Sequence, residues 1–175
     1  MSYLRNLMFA VGGSFALIAS AQAAQEIEMH EVDAQGVGDS IGTVKIEDTQ
    51  YGLLVTPDLT GLSPGAHGFH VHENANCEPL ELNGQQTAAA AAGGHYAPDQ
   101  AGTHQGPYGQ GHLGDLPILM VDEEGGATTP VLAPRLKVSD LENRAVVVHE
   151  GGDTYFDHPK LGGGGSRIAC GTLGK

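Results

Sequence analysis

The sequence of 175 residues contains no tryptophan, and only 8 lysines and arginines stand against 21 aspartates and glutamates. The formal net charge is −13, which argues against nucleic acids and anionic membranes as partners because both carry negative charge themselves. Long apolar runs are also missing. The longest, residues 7–19, is interrupted by Gly12 and Gly13 and is too short for a comfortable membrane span.

The amino-terminal segment has the features of a signal peptide. Arg5 provides a positive start, residues 7–19 an apolar stretch, and Ala21 and Ala23 the small residues that a signal peptidase requires. We therefore predict a signal peptide over residues 1–23, cleavage after Ala23 and export, with an uncleaved membrane anchor as the alternative. Residues 24–175 then form a single domain.

Cysteine is scarce, with only Cys77 and Cys170 in the chain. An oxidising compartment outside the cytoplasm favours a disulfide between them, whereas two buried thiols are the alternative. Closing a loop of this length would stabilise the folded chain by about 4–5 kcal/mol on the chain-entropy model.

Glycine is abundant, with 27 residues, and valine, isoleucine and threonine occur in short bursts between turn residues. This composition and spacing predict an all-β domain, an eight-stranded Greek-key barrel or sandwich. The predicted strands cover residues 27–32, 41–47, 52–56, 68–72, 116–121, 128–132, 145–149 and 166–172. A helical turn is predicted at residues 139–142, and residues 73–115, including the alanines at 88–92, and 150–165 are predicted to be two long functional loops.

The strand at residues 68–72 presents two imidazoles together. Side chains alternate along a strand, so Phe69 and Val71 face one side while His70 and His72 face the other. Residues two apart on one face lie about 6.5–7 Å apart, which suits two ligands of one metal ion. A solvated surface strand is the alternative.

The first long loop contains three further histidines and an acid that together suit zinc: His95, His104, His112 and Asp115. Three nitrogens and one oxygen match a closed tetrahedral zinc site. Gly114 is expected to let the backbone turn so that His112 and Asp115 converge, although a solvated polar pair is the alternative. His149 follows the apolar residues 145–148 and is expected to join His70 and His72; all-imidazole coordination favours copper.

These motifs, in this order, resemble copper/zinc superoxide dismutases of the exported bacterial branch, and the likeness extends over the whole of residues 24–175. The motifs are Gly68-Phe69-His70-Val71-His72-Glu73, Gly93-Gly94-His95, His112-x-x-Asp115, Val147-Val148-His149-Glu150 and the segment from Gly164 to Gly171.

The resemblance implies a periplasmic enzyme that disproportionates superoxide and uses copper and zinc as cofactors. It implies that copper is held by His70, His72, His95 and His149, and zinc by His95, His104, His112 and Asp115. His95 would join both ions and donate a proton to the forming peroxide, and Asp153 would link a copper histidine to a zinc histidine. Arg167, with a contribution from Lys160, would guide the anion, and His67 would tie loops together.

Two other functions compete with this interpretation. A binuclear zinc hydrolase needs carboxylates and an open water position, whereas this chain offers mostly histidines. A copper carrier needs the histidines but neither Arg167 nor a shared ligand. For quaternary structure, a monomer and a homodimer both remain open.

Overall fold

The computed structural model describes residues 24–173, in which nearly every regular segment is a β-strand. The predicted signal peptide, residues 1–23, lies outside the described residues. The strands, numbered in chain order, are β1 (Gln25–Asp33), β2 (Gly36–Thr49), β3 (Gly52–Leu59), β4 (Gly65–His67), β5 (Phe69–His72), β6 (Leu80–Leu82), β7 (Gln85–Thr87), β8 (Leu119–Val121), β9 (Val131–Ala133), β10 (Ala145–His149) and β11 (Arg167–Thr172). No helix among the described residues is both long and apolar enough to cross a membrane.

Alternation of apolar and polar side chains builds the long strands. In β1, Ile27 and Met29 are fully buried, whereas Glu26 and Glu28, which alternate with them along the strand, face outward. This is the two-residue period of a β-strand. β5 continues this principle on a strand buried on both faces. Phe69 and Val71 pack into the main core, and His70 and His72 face the opposite side.

Seven strands form one antiparallel sheet in the order β5-β10-β11-β1-β2-β3-β9. β4 and β5 are two parts of one extended segment around Gly68, and β4 pairs separately with β8. A turn at residues 122–126 follows β8. After this turn, Ala127 pairs with Leu59 at the end of β3, and this pairing curls the sheet toward a closed barrel. Many strands that are neighbours in the sheet are not consecutive in the chain, as in Greek-key folds.

The predicted fold class is confirmed, since each of the eight predicted strands overlaps one of these segments when β4 and β5 are counted together. The small hairpin β6–β7 inside the first long loop was not predicted. Asn83 and Gly84 form its turn, and both have positive φ angles, as a type I′ hairpin turn requires.

The helical turns differ in detail from the prediction. The turn expected at residues 139–142 spans Val138–Leu141, and its first turn is closed by the Asp140 carboxylate, which accepts a hydrogen bond of 2.9 Å from the Lys137 backbone. Two further 3₁₀ turns occur at Ala90–Ala92, where the sequence predicted loop, and at Lys160–Gly163. The alanine-rich turn forms because it packs against a small core cluster around Val147 and Cys170.

The predicted disulfide between Cys77 and Cys170 is confirmed. It joins the first long loop to β11, 93 positions further along the chain. The cross-link therefore fastens a Gly-rich segment with little apolar core of its own to the centre of the sheet.

Candidate metal centre

Two adjacent strands deliver three histidines to one place. β10 pairs with β5 so that Val147 lies opposite His70 and Ala145 opposite His72, and β10 ends at His149. His70, His72 and His149 are all buried. The backbone of Gly68 pairs with His149 and Gly151, and a Cβ at this position would lie only 3.1 Å from the His70 ring and 3.3 Å from Cβ of His149. Glycine therefore lets the two histidines approach each other.

Hydrogen bonds determine which ring nitrogen of each histidine is free. The carbonyl oxygen of Gly93 can only accept, so His72 donates to it through Nδ1 at 3.0 Å and leaves the Nε2 lone pair free. His149 likewise directs Nδ1 to the Gly165 carbonyl at 3.3 Å, and its Nε2 lies 3.4 Å from Nε2 of His72. Two free lone pairs therefore face each other across a gap suited to a shared cation.

His95 lies between the two halves of the cluster. Its backbone pairs with His72, and its ring stacks on that of His70 with centroids 3.9 Å apart. Nδ1 lies 3.0 Å from Oδ1 of Asp115, whereas Nε2 is buried and has no hydrogen-bond partner among residues 24–173. The two nitrogens of this ring thus point into two different groups of ligands.

The second group is centred on the Asp115 carboxylate. Nδ1 of His104 is 2.9 Å from Oδ2, and Nδ1 of His112 is 3.4 Å from Oδ1. Together with Nδ1 of His95, three imidazole nitrogens surround one buried carboxylate, which is the donor chemistry of a tetrahedral zinc site.

Asp153 connects the two groups. Its Oδ2 accepts from Nε2 of His70 and its Oδ1 accepts from Nε2 of His104, both at 2.7 Å. Both rings must therefore carry their protons on Nε2, which leaves Nδ1 of each ring free to bind a metal ion.

Burial and neighbouring charges set the protonation of these groups. Burial, with the neighbouring His70, lowers the pKa of His95 to about 4 and of His149 to about 3, and burial lowers the pKa of His70 and, more strongly, of His72. Neutral imidazoles are the form that binds metals.

His104 is the exception among these histidines, because its pKa is raised by the two aspartates that it contacts. Burial alone would lower the pKa of His104, but the carboxylates of Asp115 and Asp153 outweigh it and raise the pKa to about 9. Burial likewise opposes ionisation of both aspartates, yet their histidine partners hold both carboxyl pKa values well below the usual range.

The residues present fit a pair of metal ions. Nδ1 of His70, Nε2 of His95 and Nδ1 of His104 and His112 are buried without a hydrogen-bond partner in the described part of the chain. Nδ1 of His104 and of His112 still lie near the Asp115 carboxylate, whereas Nδ1 of His70 and Nε2 of His95 have no such contact. A buried polar atom of the latter kind costs about 1–3 kcal/mol unless a ligand occupies it. Two sets of four ligand atoms, each with all members within 4.8 Å of one another, meet at this point. They are His70, His72, His95 and His149, and His70, His95, His104 and Asp115.

The structure brings every predicted metal ligand into this cluster, but the second geometric set contains His70 where the sequence predicted His112. Nε2 of His70 is engaged by Asp153, and its free Nδ1 belongs with the first group, whereas His112 lies against Asp115. The hydrogen bond of His70 to Asp153 and the 3.4 Å contact of His112 with Asp115 therefore favour His112 as the fourth member of the second group.

Gly114 is needed for a reason other than the expected turn. It does not have a positive φ angle; instead, its backbone pairs with both Val71 and Tyr96. A Cβ atom there would overlap the Val71 carbonyl oxygen and lie 2.9 Å from the Tyr96 nitrogen. Close approach of three backbone segments, invisible in the sequence, excludes any side chain at this position.

Arg167 extends from the start of β11 to the first long loop. It donates to the carbonyl oxygens of Ala89 at 2.5 Å and Gly93 at 2.6 Å. Gly93 also accepts from His72, so one carbonyl joins the arginine to a histidine of the first group. The remaining expected residues are His67, whose ring lies 2.7 Å from the carbonyls of both His149 and Ser63, and Lys160, which is exposed.

The sequence did not predict a role for two residues of the second long loop. Asp157 accepts a hydrogen bond of 2.7 Å from the His104 backbone, and the Tyr155 hydroxyl accepts one of 2.8 Å from the Ile118 backbone. Nothing distinguished Asp157 from the chain's other acids, because its partner lies 53 positions away.

Comparison with known proteins agrees with this arrangement of metal ligands. The profile of one family, described as copper/zinc superoxide dismutase, matches residues 40–173. Superoxide dismutase (Cu-Zn) 2 of Salmonella typhimurium is 55% identical over 158 residues, covering 89% of this chain and 91% of the relative.

Two solved structures share the fold. The Cu/Zn superoxide dismutase from Brucella abortus superposes with a TM-score of 0.85 at 44% identity, over 87% of this chain and 100% of its own. The monomeric copper, zinc superoxide dismutase from Salmonella enterica has a TM-score of 0.79 and 54% identity, with the same coverage.

Proposed function

Because the chain belongs to the copper/zinc superoxide dismutase family, we propose that the histidine cluster at the end of β5 and β10 is its active centre. The chain is an oxidoreductase that disproportionates superoxide and uses copper and zinc. The observation that carries the proposal is the set of buried ring nitrogens that converge without hydrogen-bond partners among residues 24–173.

The two ligand sets differ in chemistry. Copper would be held by four imidazoles, those of His70, His72, His95 and His149. Zinc would be held by three imidazoles and a carboxylate, those of His95, His104, His112 and Asp115. Copper bound there would supply the electron transfer by which two superoxide anions and two protons become dioxygen and hydrogen peroxide.

His95 is assigned the role of proton donor to the forming peroxide. Its Nδ1 faces Asp115 and its Nε2 faces the copper histidines, so Nε2 is the atom that can hold a proton next to the substrate. Burial lowers the pKa of the His95 imidazolium to about 4, so the ring is neutral at pH 7. With zinc on Nδ1, its one proton would sit on Nε2, from which it could pass to the forming peroxide. Asp153 keeps the flanking rings of His70 and His104 oriented while this happens.

Arg167 is assigned the capture of the anion. Its guanidinium is held by two backbone carbonyls rather than by a carboxylate, so its positive charge is not neutralised by an ion pair within the described residues. A fixed guanidinium beside the copper ligands His72 and His149 attracts a small anion and orients it by hydrogen bonding.

We further infer that the enzyme works in the periplasm and protects the cell envelope from superoxide. The signal-peptide features of residues 1–23 and the disulfide support export, since disulfides persist in oxidising compartments. The Salmonella enterica relative is described as monomeric, and for this chain both a monomer and a homodimer remain compatible with the proposal.

Metal analysis combined with a xanthine-oxidase-coupled superoxide assay tests the proposed centre. The purified protein should contain copper and zinc in equal amounts and should remove superoxide, whereas His149→Ala should lose copper and activity but retain zinc. Copper binding without dismutation would instead indicate a copper carrier, and two zinc ions with hydrolytic activity a binuclear hydrolase. Activity that persists in His149→Ala without copper would overturn the proposal.

A further inference from the structure

Arg135 lies just beyond β9 and extends to the segment of residues 103–115, which we call the zinc-ligand loop. Its Nε donates to the Pro107 carbonyl at 3.2 Å, Nη1 to the Gly111 carbonyl at 3.1 Å and Nη2 to the His112 carbonyl at 2.5 Å. One guanidinium thus engages three backbone groups of one loop, including that of a proposed zinc ligand.

The zinc-ligand loop needs such support. It contains glycines at positions 106, 109, 111 and 114, which lose more conformational freedom on ordering than any other residue. The carbonyls of Pro107 and Gly111 have no other hydrogen-bond donor among the described residues. Arg135 therefore supplies partners that regular secondary structure does not provide here.

We propose that Arg135 is a positioning residue for zinc, which holds the zinc-ligand loop in the conformation in which His104 and His112 converge on Asp115. The inference rests on the proposed assignment of these residues to zinc. A loop ordered in advance binds the ion without having to be ordered by it, so loss of the guanidinium weakens zinc retention.

The contacts predict that the effect is selective. The hydrogen bonds of Arg135 all reach the zinc-ligand loop, whereas the copper histidines His70, His72 and His149 are positioned by β5, β10, Gly93 and Gly165. The planar fork of arginine also matters, because a lysine ammonium cannot reach three separated carbonyls with one nitrogen.

The test measures metal loss from the protein loaded with copper and zinc in the presence of excess chelator. Arg135→Ala should lose zinc about 10–100-fold faster than the parent, with copper loss unchanged, and Arg135→Lys should show most of the same acceleration. Lys45→Ala is the matched control, since it removes a positive charge from a half-buried ion pair with Glu47 on β2, and it should lose zinc at the parent rate.

Equal acceleration of copper and zinc loss in Arg135→Ala would show that the arginine supports the whole fold and would overturn the proposal. If Arg135→Ala does not fold, Arg135→Lys decides the matter, because zinc loss at the parent rate contradicts the positioning role. Absence of zinc from the parent protein would overturn the proposed function itself, so the two failures are distinguishable.

Discussion

Asp153 holds one histidine of each proposed metal set with a different carboxylate oxygen, and both hydrogen bonds are 2.7 Å long. An amide at this position offers a single acceptor oxygen, so one of the two rings must lose its partner. Such partners of metal ligands fix ring orientation, and their loss costs about 10–100-fold in metal affinity.

We therefore expect Asp153→Asn to bind copper and zinc about 10–100-fold more weakly than the parent, as measured by competition with a chelator of known affinity. Glu150→Gln is the matched control, because it makes the same change of charge at an exposed position in the adjoining segment. Parent-like affinity for both metals in Asp153→Asn would refute the linking role.

Arg167→Ile tests whether this side chain captures the superoxide anion. Loss of the local positive charge should lower kcat/KM for superoxide by about tenfold or more while copper content is retained, because the ligands themselves are untouched. Initial rates at low and high ionic strength measure the effect, and Arg167→Lys should recover part of it. Dismutation by Arg167→Ile at the parent rate would show that the guiding role is wrong.

The first long loop depends on the core of the barrel for its order. The disulfide ties it to β11 at Cys170, a fully buried residue in the small cluster with Val147 and Ala92. The same loop provides the carbonyls of Ala89 and Gly93 that hold Arg167. The cross-link thus stabilises the part of the chain that positions the anion-binding arginine.

Replacing both cysteines by alanine should lower the free energy of unfolding by about 4 kcal/mol, since the loop between them is 93 positions long. Denaturant unfolding of the metal-free protein is the appropriate measurement, because bound metals add their own stabilisation. The parent protein under reducing conditions should match the variant. A difference of less than about 1 kcal/mol between the oxidised parent and the variant would contradict the expected contribution.

The net charge of the chain, −13, has the wrong sign to attract superoxide. Screening restricts this repulsion, since exposed charges more than about 8 Å away are largely hidden at physiological salt. Attraction must therefore arise near the site, where Arg167 lies beside the cluster.

The stability of the metal-free protein should pass through a maximum near neutral pH. His95 and His149 have folded-state pKa values of about 4 and 3, below the unfolded value of 6.5, so their contribution is lost as the pH falls below 6.5. His104 has a folded-state pKa of about 9, so its contribution is present below pH 6.5 and is lost as the pH rises toward 9.

Thermal unfolding of the metal-free protein between about pH 4 and pH 9 measures the loss of stability on both the acidic and the alkaline side. Zinc should remove the alkaline loss, because Nδ1 of His104 cannot hold a proton while it binds a metal ion. Stability of the metal-free protein that rises steadily from pH 6.5 to 9 would contradict the positive charge assigned to His104.

Local sequence patterns were enough to predict the all-β class, the eight strand segments and the grouping of the histidines, because strand alternation and His-rich motifs each extend over only a few residues. His70 and His72 share a face through the two-residue period alone. The resemblance to one family added the Asp153 and Arg167 assignments, which the residues alone did not distinguish from surface groups.

Three properties are visible in the folded chain alone: which ring nitrogen of each histidine is free, why Gly114 must lack a side chain, and how Arg135 and Asp157 contact the zinc-ligand loop. These properties depend on hydrogen bonds between residues that are far apart in the chain. No local pattern records such pairings, because they arise when separate strands and loops are packed against one another.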